Sequence, residues 1–462
     1  MSNTLRDWIQ RISDPNFYPW SNYLFPQNSK DVVNRVCDPT LQVDLKDAKY
    51  RGNTGANGKP HGSGTLSFSN GDSVITKFEN GVRHGDTVIS SPRLNISRLV
   101  GSYDMGYFQG PGKIITTNTS SYECFFKDSV LHGPLRKIDL KKFREFRRQV
   151  SFIGMFKNGL PQGPCWAYLE GGGFLFAQLS IEGLSFNDYD LDFTKFFTSK
   201  NCAYIYPDFK TAYLGEFIEG VMKGARCAEV ISVKKDIVSG ILIPILKLTE
   251  PKSAIVQYFK SNKEIINDQP LVPDPYESRW IECRSSLINE AGEGLFAKED
   301  IPSGTIVAFY NGVRIPYELG GPTEHWSSSG YKIFINADYE SGERMNIPEK
   351  YVSLKNYYAS LGHKMNHSFQ SNCSEWFFHH PRFGVIPCER TIKDIKRGEE
   401  LFLDYEYDPH NCPEWFSIEL DAFLARNDDD EHKSKLILNN VKYSRYNEYL
   451  LSLKKKEIEE TT

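Results

Sequence analysis

At 462 residues the chain is longer than one core organises, so two or three domains are expected. Hydrophobic (40%) and charged (25%) shares are those of a folded protein and exclude global disorder, while a net charge of −4 excludes a chain built mainly to neutralise nucleic-acid phosphate. The 13% aromatic share suits half-buried pleated faces and predicts a β-rich fold.

Met1–Pro15 lacks the apolar central run of a signal peptide, and no stretch of about eighteen apolar residues follows, so no membrane span is expected. The nine cysteines are scattered from Cys37 to Cys412 without a CxxC pair, which reads as reduced, buried thiols of an intracellular protein.

Residues 1–50 form an N-terminal extension. From residue 51 to 230 a turn signature recurs: His61-Gly62, His84-Gly85, Gln109-Gly110, His132-Gly133 and Gln162-Gly163, at intervals of 23, 25, 23 and 30 residues. Between them lie short aromatic or β-branched runs such as Val74–Phe78. These end in Asn-Gly pairs (Asn70-Gly71, Asn80-Gly81, Asn158-Gly159), a strong hairpin signal because tight turns need positive φ. A glycine-ended strand followed by His-Gly-x-Gly and another strand resembles the MORN repeat, which implies an antiparallel sheet of stacked hairpins. Lys137–Arg148 interrupts two copies and reads as a solvated, basic hairpin tip. The period is lost after Val230, and residues 231–275 read as a linker stiffened by Pro270, Pro273 and Pro275.

The second half carries the chemistry. Ala291-Gly292-Glu293-Gly294 follows a predicted strand (Ile281–Leu287), and its glycines let backbone approach a ligand. It lacks the third glycine of a dinucleotide fingerprint, which disfavours a Rossmann-type methyltransferase. Phe309-Tyr310-Asn311-Gly312 is strand then turn. His363 and His367 lie four apart, but Lys364 stands where a zincin has glutamate and no third ligand is spaced convincingly, so no metal is predicted.

Asn366-His367-Ser368 with Asn372-Cys373, followed some thirty residues on by Glu399–Tyr405, is far more specific. With Ala291–Phe296 upstream and Pro413-Glu414-Trp415-Phe416 downstream, the four blocks stand in SET-domain order. Together with the first half, the chain resembles the MORN-repeat-bearing SET-domain histone-lysine N-methyltransferase family over roughly residues 55–425.

That resemblance implies a mostly β protein: an N-terminal antiparallel MORN-repeat sheet, then a SET domain (β-clip, knot-like) over 276–408, a post-SET segment over 409–426 with helix Ser417–Arg426, and a partly helical tail over 427–462. It implies in-line methyl transfer from S-adenosylmethionine to a neutral lysine amine, an alignment-dominated reaction that needs no strong general base. Tyr405 would stand beside the sulfonium, Tyr310 and Tyr407 would wall the lysine channel, and His363 would pack beneath them. Ala291, Gly292, Glu293, Asn366, His367, Trp415 and Glu419 would hold the cofactor. The partner is a histone tail or another lysine-bearing protein, with no nucleic acid, and the chain is expected to act as a monomer in the nucleus, the cytoplasm being the alternative site. The runner-up is a SET-fold scaffold that has lost turnover. Three departures stand out: Glu375 replaces a channel tyrosine of the family, Glu406 replaces a glycine, and Gly320–Asn346 differs in length.

Overall fold

The computed structural model describes residues 5–8, 48–117, 120–139, 150–169, 171–180, 193–250, 253–315, 331, 333–334, 344–407 and 412–426. Of the predicted insertion Lys137–Arg148, Lys137–Asp139 belong instead to the strand Gly133–Asp139 of the first sheet. Residues 140–148, the tail from 427, most of the N-terminal extension and most of Gly320–Asn346 lie outside the described residues. The chain divides into two compact units, Met1–Gln257 and Tyr258–Thr462.

In the first unit, strands running from Ala48–Thr54 to Leu242–Leu248 form one antiparallel sheet in nearly unbroken sequence order. The glycines of all five predicted X-Gly pairs take positive φ, from 74° at Gly62 to 112° at Gly133. Asn80-Gly81 and Asn158-Gly159 have positive φ at both residues, as a type I′ hairpin requires. At Asn70-Gly71 only the glycine does: the Asn70 carboxamide is instead engaged by Asp72. Other glycines are set by packing. An added Cβ at Gly101 would lie 2.2 Å from Phe108 Cζ, and Phe108 sits edge-on to Tyr103 and Phe126 at 5.2 and 4.8 Å. Overpacking of this kind costs about 2–3 kcal/mol. Gly101→Ala is therefore expected to destabilise the first unit by that amount, with partial recovery when Phe108→Leu is added. Chemical denaturation of both variants checks this, and an unshifted single variant would contradict it.

The sheet does not stop at Val230. The strand Val221–Lys235 runs on and pairs with Leu242–Leu248. Asp236 closes that hairpin by accepting from the Ser239 amide and hydroxyl, both at 2.7 Å. The linker thus begins later than the loss of period implied, because this last hairpin is built without the His-Gly signature. Trp166 donates to Leu242 O at 2.8 Å, tying the repeat region to it. Leu5 is buried in the same core and Trp8 packs on Trp166 at 6.1 Å, so the chain's start docks on the sheet.

The second unit's strands are numbered from its own start. After the short helix α1 (Glu277–Trp280), β1 (Ile281–Ser285) pairs with β2 (Glu293–Ala297). β3 (Ile306–Phe309) follows, then the short strands β4 (Val313–Ile315), β5 (Ile333–Phe334) and β6 (Arg344–Asn346). Helix α2 (Glu349–Val352) precedes β7 (Asn366–His367), the hairpin β8 (Cys373–His380) and β9 (Gly384–Thr391), β10 (Glu400–Leu403) and helix α3 (Glu414–Arg426). Three small sheets result: β1-β2-β10-β7, β3-β9-β8 and β4-β6-β5. Helix α3 starts three residues before the predicted Ser417 and so includes Trp415 and Phe416. Among the described residues no helix is long and apolar enough to cross a membrane.

A buried polar frame fixes the second unit. Asp274 accepts from the Tyr276 and Glu277 amides and faces His380 Nε2 at 3.0 Å. Glu277 in turn accepts from the Phe309 and Leu361 amides at 2.8 and 2.9 Å. Burial pushes Glu277 well above the usual carboxylate range, and Asp274 adds to it. These groups join backbone segments and act as structure.

Candidate active site

β7 and β10 run parallel, pairing Asn366 with Phe402 and His367 with Leu403. This pairing carries the two sequence-distant blocks onto one edge. Asn372 fastens it, donating to Glu400 O at 2.8 Å and accepting from the Phe402 amide at 2.7 Å. The chain leaving β10 then passes His367, whose Nδ1 accepts from the Tyr405 amide at 3.1 Å. The Tyr405 hydroxyl donates to Met365 O at 2.8 Å.

Aromatic rings close in around this point. Tyr405 and Tyr407 stand edge-to-face at 5.7 Å, and Trp415 lies 6.4 and 6.3 Å from them. Phe416, buried on α3, packs on His367, Phe369 and Tyr407 at 4.9, 5.1 and 5.2 Å. Trp415 remains 47% exposed, which leaves a large aromatic face uncovered beside buried polar groups. Tyr310 is buried and donates to Tyr331 O at 2.7 Å. Burial pushes the phenols of Tyr310, Tyr405 and Tyr407 up, with neighbouring phenols adding to it, so all three keep their protons at neutral pH.

On the other side of β2, Gly292 has φ 75° and open space where a Cβ would stand. Ala291, Gly292 and Glu293 are exposed. Lys364 holds the Glu293 carboxylate at 2.7 Å, and Asn366 Nδ2 donates to Glu293 O at 3.1 Å. Glu400, buried behind them, accepts from the Ser286 hydroxyl (2.7 Å), the Leu287 amide (2.8 Å) and Asn366 Nδ2 (3.1 Å). It fixes the loop before Ala291 and the Asn366 carboxamide at once. Glu419 is exposed on α3, one turn beyond Trp415.

His363 and His367 do not share a helical face: the first sits in the tight turn Gly362–Lys364 and the second in β7. His363, expected beneath the channel tyrosines, sets its ring against Tyr357 at 5.7 Å. Burial pushes the pKa of His363 down to about 3 and that of His367 to about 4. The neutral His367 ring therefore makes no ion pair with the Asp404 carboxylate 3.8 Å away.

The three depressed histidines, His363, His367 and the buried His380, make the second unit acid-sensitive. Unfolded histidine titrates near about 6.5, so below that pH the unfolded chain takes up protons that the folded one refuses. Stability is full above this value and falls as pH drops through it, until the folded pKa values are reached. Glu389, pushed up to about 8, works in the opposite sense above the unfolded carboxylate range, so the histidine contribution is isolated by a variant. The stability difference between wild type and His363→Asn should shrink by about 2 kcal/mol between pH 7 and 5. Amide exchange in β7 and β10 measures it; a pH-independent difference would refute the neutral assignment.

Three participants carry no signal in the sequence. Tyr331 lies in the stretch whose length departs from the family. Glu400 stands inside the Glu399–Tyr405 block, where nothing local marks its task. Glu389 had no motif at all, although the hairpin register, with His380 opposite Gly384, sets Glu389 opposite Glu375.

Asparagine-histidine and tyrosine blocks brought together by a parallel pair, with an aromatic helix over them, define the SET class. Profiles of known families agree: one described as SET domain matches residues 292–406, one described as Histone H3 K4-specific methyltransferase SET7 N-terminal matches 156–239, and one described as MORN repeat matches 56–73. The Histone-lysine N-methyltransferase SETD7 of Halocynthia roretzi is 34% identical over 391 residues, 83% of this chain and 94% of that protein. Among solved structures, ctPRC2 in an autoinhibited conformation bound to S-adenosylmethionine is 24% identical over 31% of this chain and 17% of that chain, with a TM-score of 0.22. An active polycomb repressive complex 2 in the basal state is 28% identical over 27% of this chain and 15% of that chain, with a TM-score of 0.21. The chain belongs to the MORN-repeat-bearing SET-domain histone-lysine N-methyltransferase family and is a protein-lysine methyltransferase.

Proposed function

We propose that the enzyme takes its methyl group from S-adenosylmethionine and delivers it to lysines of histone tails and other proteins, in the nucleus, with the cytoplasm as a second location. The observation that supports this best is the β7–β10 pairing, which gathers Asn366, His367, Tyr405 and Trp415 on one edge.

The residues present fit the cofactor. Among the described residues His367 Nε2 is buried without a hydrogen-bond partner, Gly292 faces open space, and the exposed Trp415 ring suits stacking on a purine. Bound there, the cofactor supplies an activated methyl group on a sulfonium. Gly292 and its neighbours Ala291 and Glu293 would offer backbone to its amino-acid end, Asn366 and His367 would orient it, and Trp415 with Glu419 would cover its adenine. Tyr405 presents a neutral phenol whose oxygen can accept weak C–H contacts from the methyl group. Tyr310 and Tyr407 line the lysine side, where their ring faces hold an ammonium before it loses its proton. His363 holds the Tyr357 side of the turn and takes no proton.

Glu375 stands where the family has a channel tyrosine. Loss of that hydroxyl frees room and polarity for a methylated amine, so the products should extend beyond monomethyl-lysine. Incubation with S-adenosylmethionine and a panel of histone-tail and lysine-rich peptides, read by mass spectrometry, tests both statements. Di- or trimethyl product, reduced to monomethyl by Glu375→Tyr, is the expected outcome. Monomethyl product alone would remove the role given to Glu375, and no product on any peptide would move the assignment to a scaffold.

A further inference from the structure

We propose that Glu389 and Glu375 form a proton-accepting carboxyl pair at the lysine channel: Glu389 takes a proton from the incoming lysine ammonium and Glu375 passes it to solvent. The inference rests on the methyltransferase reading above and deepens it.

The geometry is specific. Glu389 lies on β9 and is 1% exposed, among the least accessible carboxylates of the unit. Its carboxyl is wedged against the Gly362 turn, where an added Cβ would lie 2.7 and 2.8 Å from its two oxygens. Among the described residues Oε2 has no hydrogen-bond partner. A buried acid with an unsatisfied oxygen costs stability, and nothing in the frame formed by Asp274, Glu277 and His380 uses it. Glu389 pairs with Ala308, two residues before Tyr310, and its carboxyl and the Phe309 carbonyl converge on the same point of the Gly362 turn, which sets it beside the segment that carries Tyr310. Glu375 is directly opposite it in the β8–β9 register, which brings the two Cβ atoms to within about 5.5 Å. Glu375 is exposed. One carboxyl is thus inside and one outside, on neighbouring strands.

The groups facing Glu389 are Glu375 and Cys373 on β8, Cys388 beside it on β9, Tyr310 after β3, Tyr405 after β10 and Glu277 on α1. The Gly362–Lys364 turn packed on it adds His363, held neutral by burial, and Lys364, whose ammonium is paired with Glu293 at 2.7 Å. Among the described residues no cation is thus paired with Glu389, and an arriving ammonium is the charge this corner lacks. Burial, with Glu375 adding to it, pushes Glu389 up to about 8. A group poised there exchanges protons readily near neutral pH. In the transfer, an N–H bond of the ammonium breaks and its electron pair stays on nitrogen as the attacking lone pair. An O–H bond forms on Glu389, and the same proton then leaves through the Glu375 carboxyl to water, restoring the pair.

The test is the pH dependence of kcat and KM for the full chain with a peptide substrate, in wild type, Glu389→Gln and Glu375→Gln. Wild-type kcat should rise with pH and level off above about 8. Glu389→Gln should lose at least about tenfold in kcat at neutral pH and regain activity as pH rises, with cofactor affinity unchanged. Glu375→Gln removes the charge that raises Glu389, so its limb should move to lower pH. Equal losses at every pH, or unmoved limbs, would overturn the proposal and leave Glu389 a packing residue. Infrared spectra of the full chain give a reading independent of turnover. The wild-type minus Glu389→Gln difference spectrum, in which the buried Glu277 carboxyl cancels, should show a protonated-carboxyl stretch at neutral pH that is lost on raising pH through 8. Absence of that difference band overturns the pair. Should wild type methylate no peptide while that band is present, the methyltransferase reading fails and the transfer from lysine with it, whereas turnover without the band overturns the carboxyl pair alone.

Discussion

Tyr405→Phe should lower the rate of methyl transfer by about a hundredfold or more while leaving cofactor affinity within a fewfold of wild type. The hydroxyl donates to Met365 O at 2.8 Å, and the backbone of the same residue donates to His367 Nδ1 at 3.1 Å. The residue is thereby held at both ends beside the Trp415 and Tyr407 rings. Removing the hydroxyl frees one end, and a displacement of the reacting atoms by about 1 Å is worth a factor of this size in an alignment-limited reaction. The ring remains, so cofactor binding is largely kept. Single-turnover transfer and calorimetric titration with S-adenosylmethionine separate the two. A variant that turns over at the wild-type rate would take Tyr405 out of the chemistry.

Glu400→Ala should act in the opposite way, through binding and stability. Its carboxylate accepts three hydrogen bonds, from Ser286, Leu287 and Asn366, and it is buried. Truncation strands those donors and loosens the loop leading to Ala291–Glu293 together with the Asn366 carboxamide. A loss of about 3 kcal/mol in stability is expected, with cofactor affinity falling more than about tenfold as the loop loses its order. Glu400→Gln keeps the shape but exchanges one acceptor for a donor, so it should fall between. Calorimetry and denaturant unfolding measure both effects. Wild-type affinity in the alanine variant would mean that the loop is ordered by something else.

These expectations rest on features of unequal legibility in the sequence. The X-Gly pairs declared the sheet of the first unit because turn chemistry is local: positive φ is needed at Gly62 or Gly163 whatever surrounds them. The final hairpin was hidden because it lacks the His-Gly and Asn-Gly pairs: Asp236 and Ser239 brace it with side chains, and its positive-φ glycine, Gly240, follows serine. The docking of Leu5 and Trp8 was hidden for a different reason, since a short apolar pair carries no period. Within the second unit the blocks around Asn366 and Tyr405 were legible through family resemblance, and the structure brings them together by a parallel pair that no local pattern encodes. Glu389 sits in a strand buried on both faces, Ile386-Pro387-Cys388-Glu389, where alternation gives no sign of direction. Only the hairpin register exposes its partnership with Glu375.

Movement of a methyl group from S-adenosylmethionine to a lysine ε-amine is the reaction proposed for this chain. The most direct test is transfer of labelled methyl from that cofactor to histone-tail peptides by the full chain, with matched peptides in which each lysine in turn is replaced by arginine. Label that appears on wild-type peptide, is located on lysine by mass spectrometry and disappears with one particular lysine is the predicted result. A chain that binds the cofactor through Asn366, His367 and Trp415 yet labels no peptide or protein would contradict the claim.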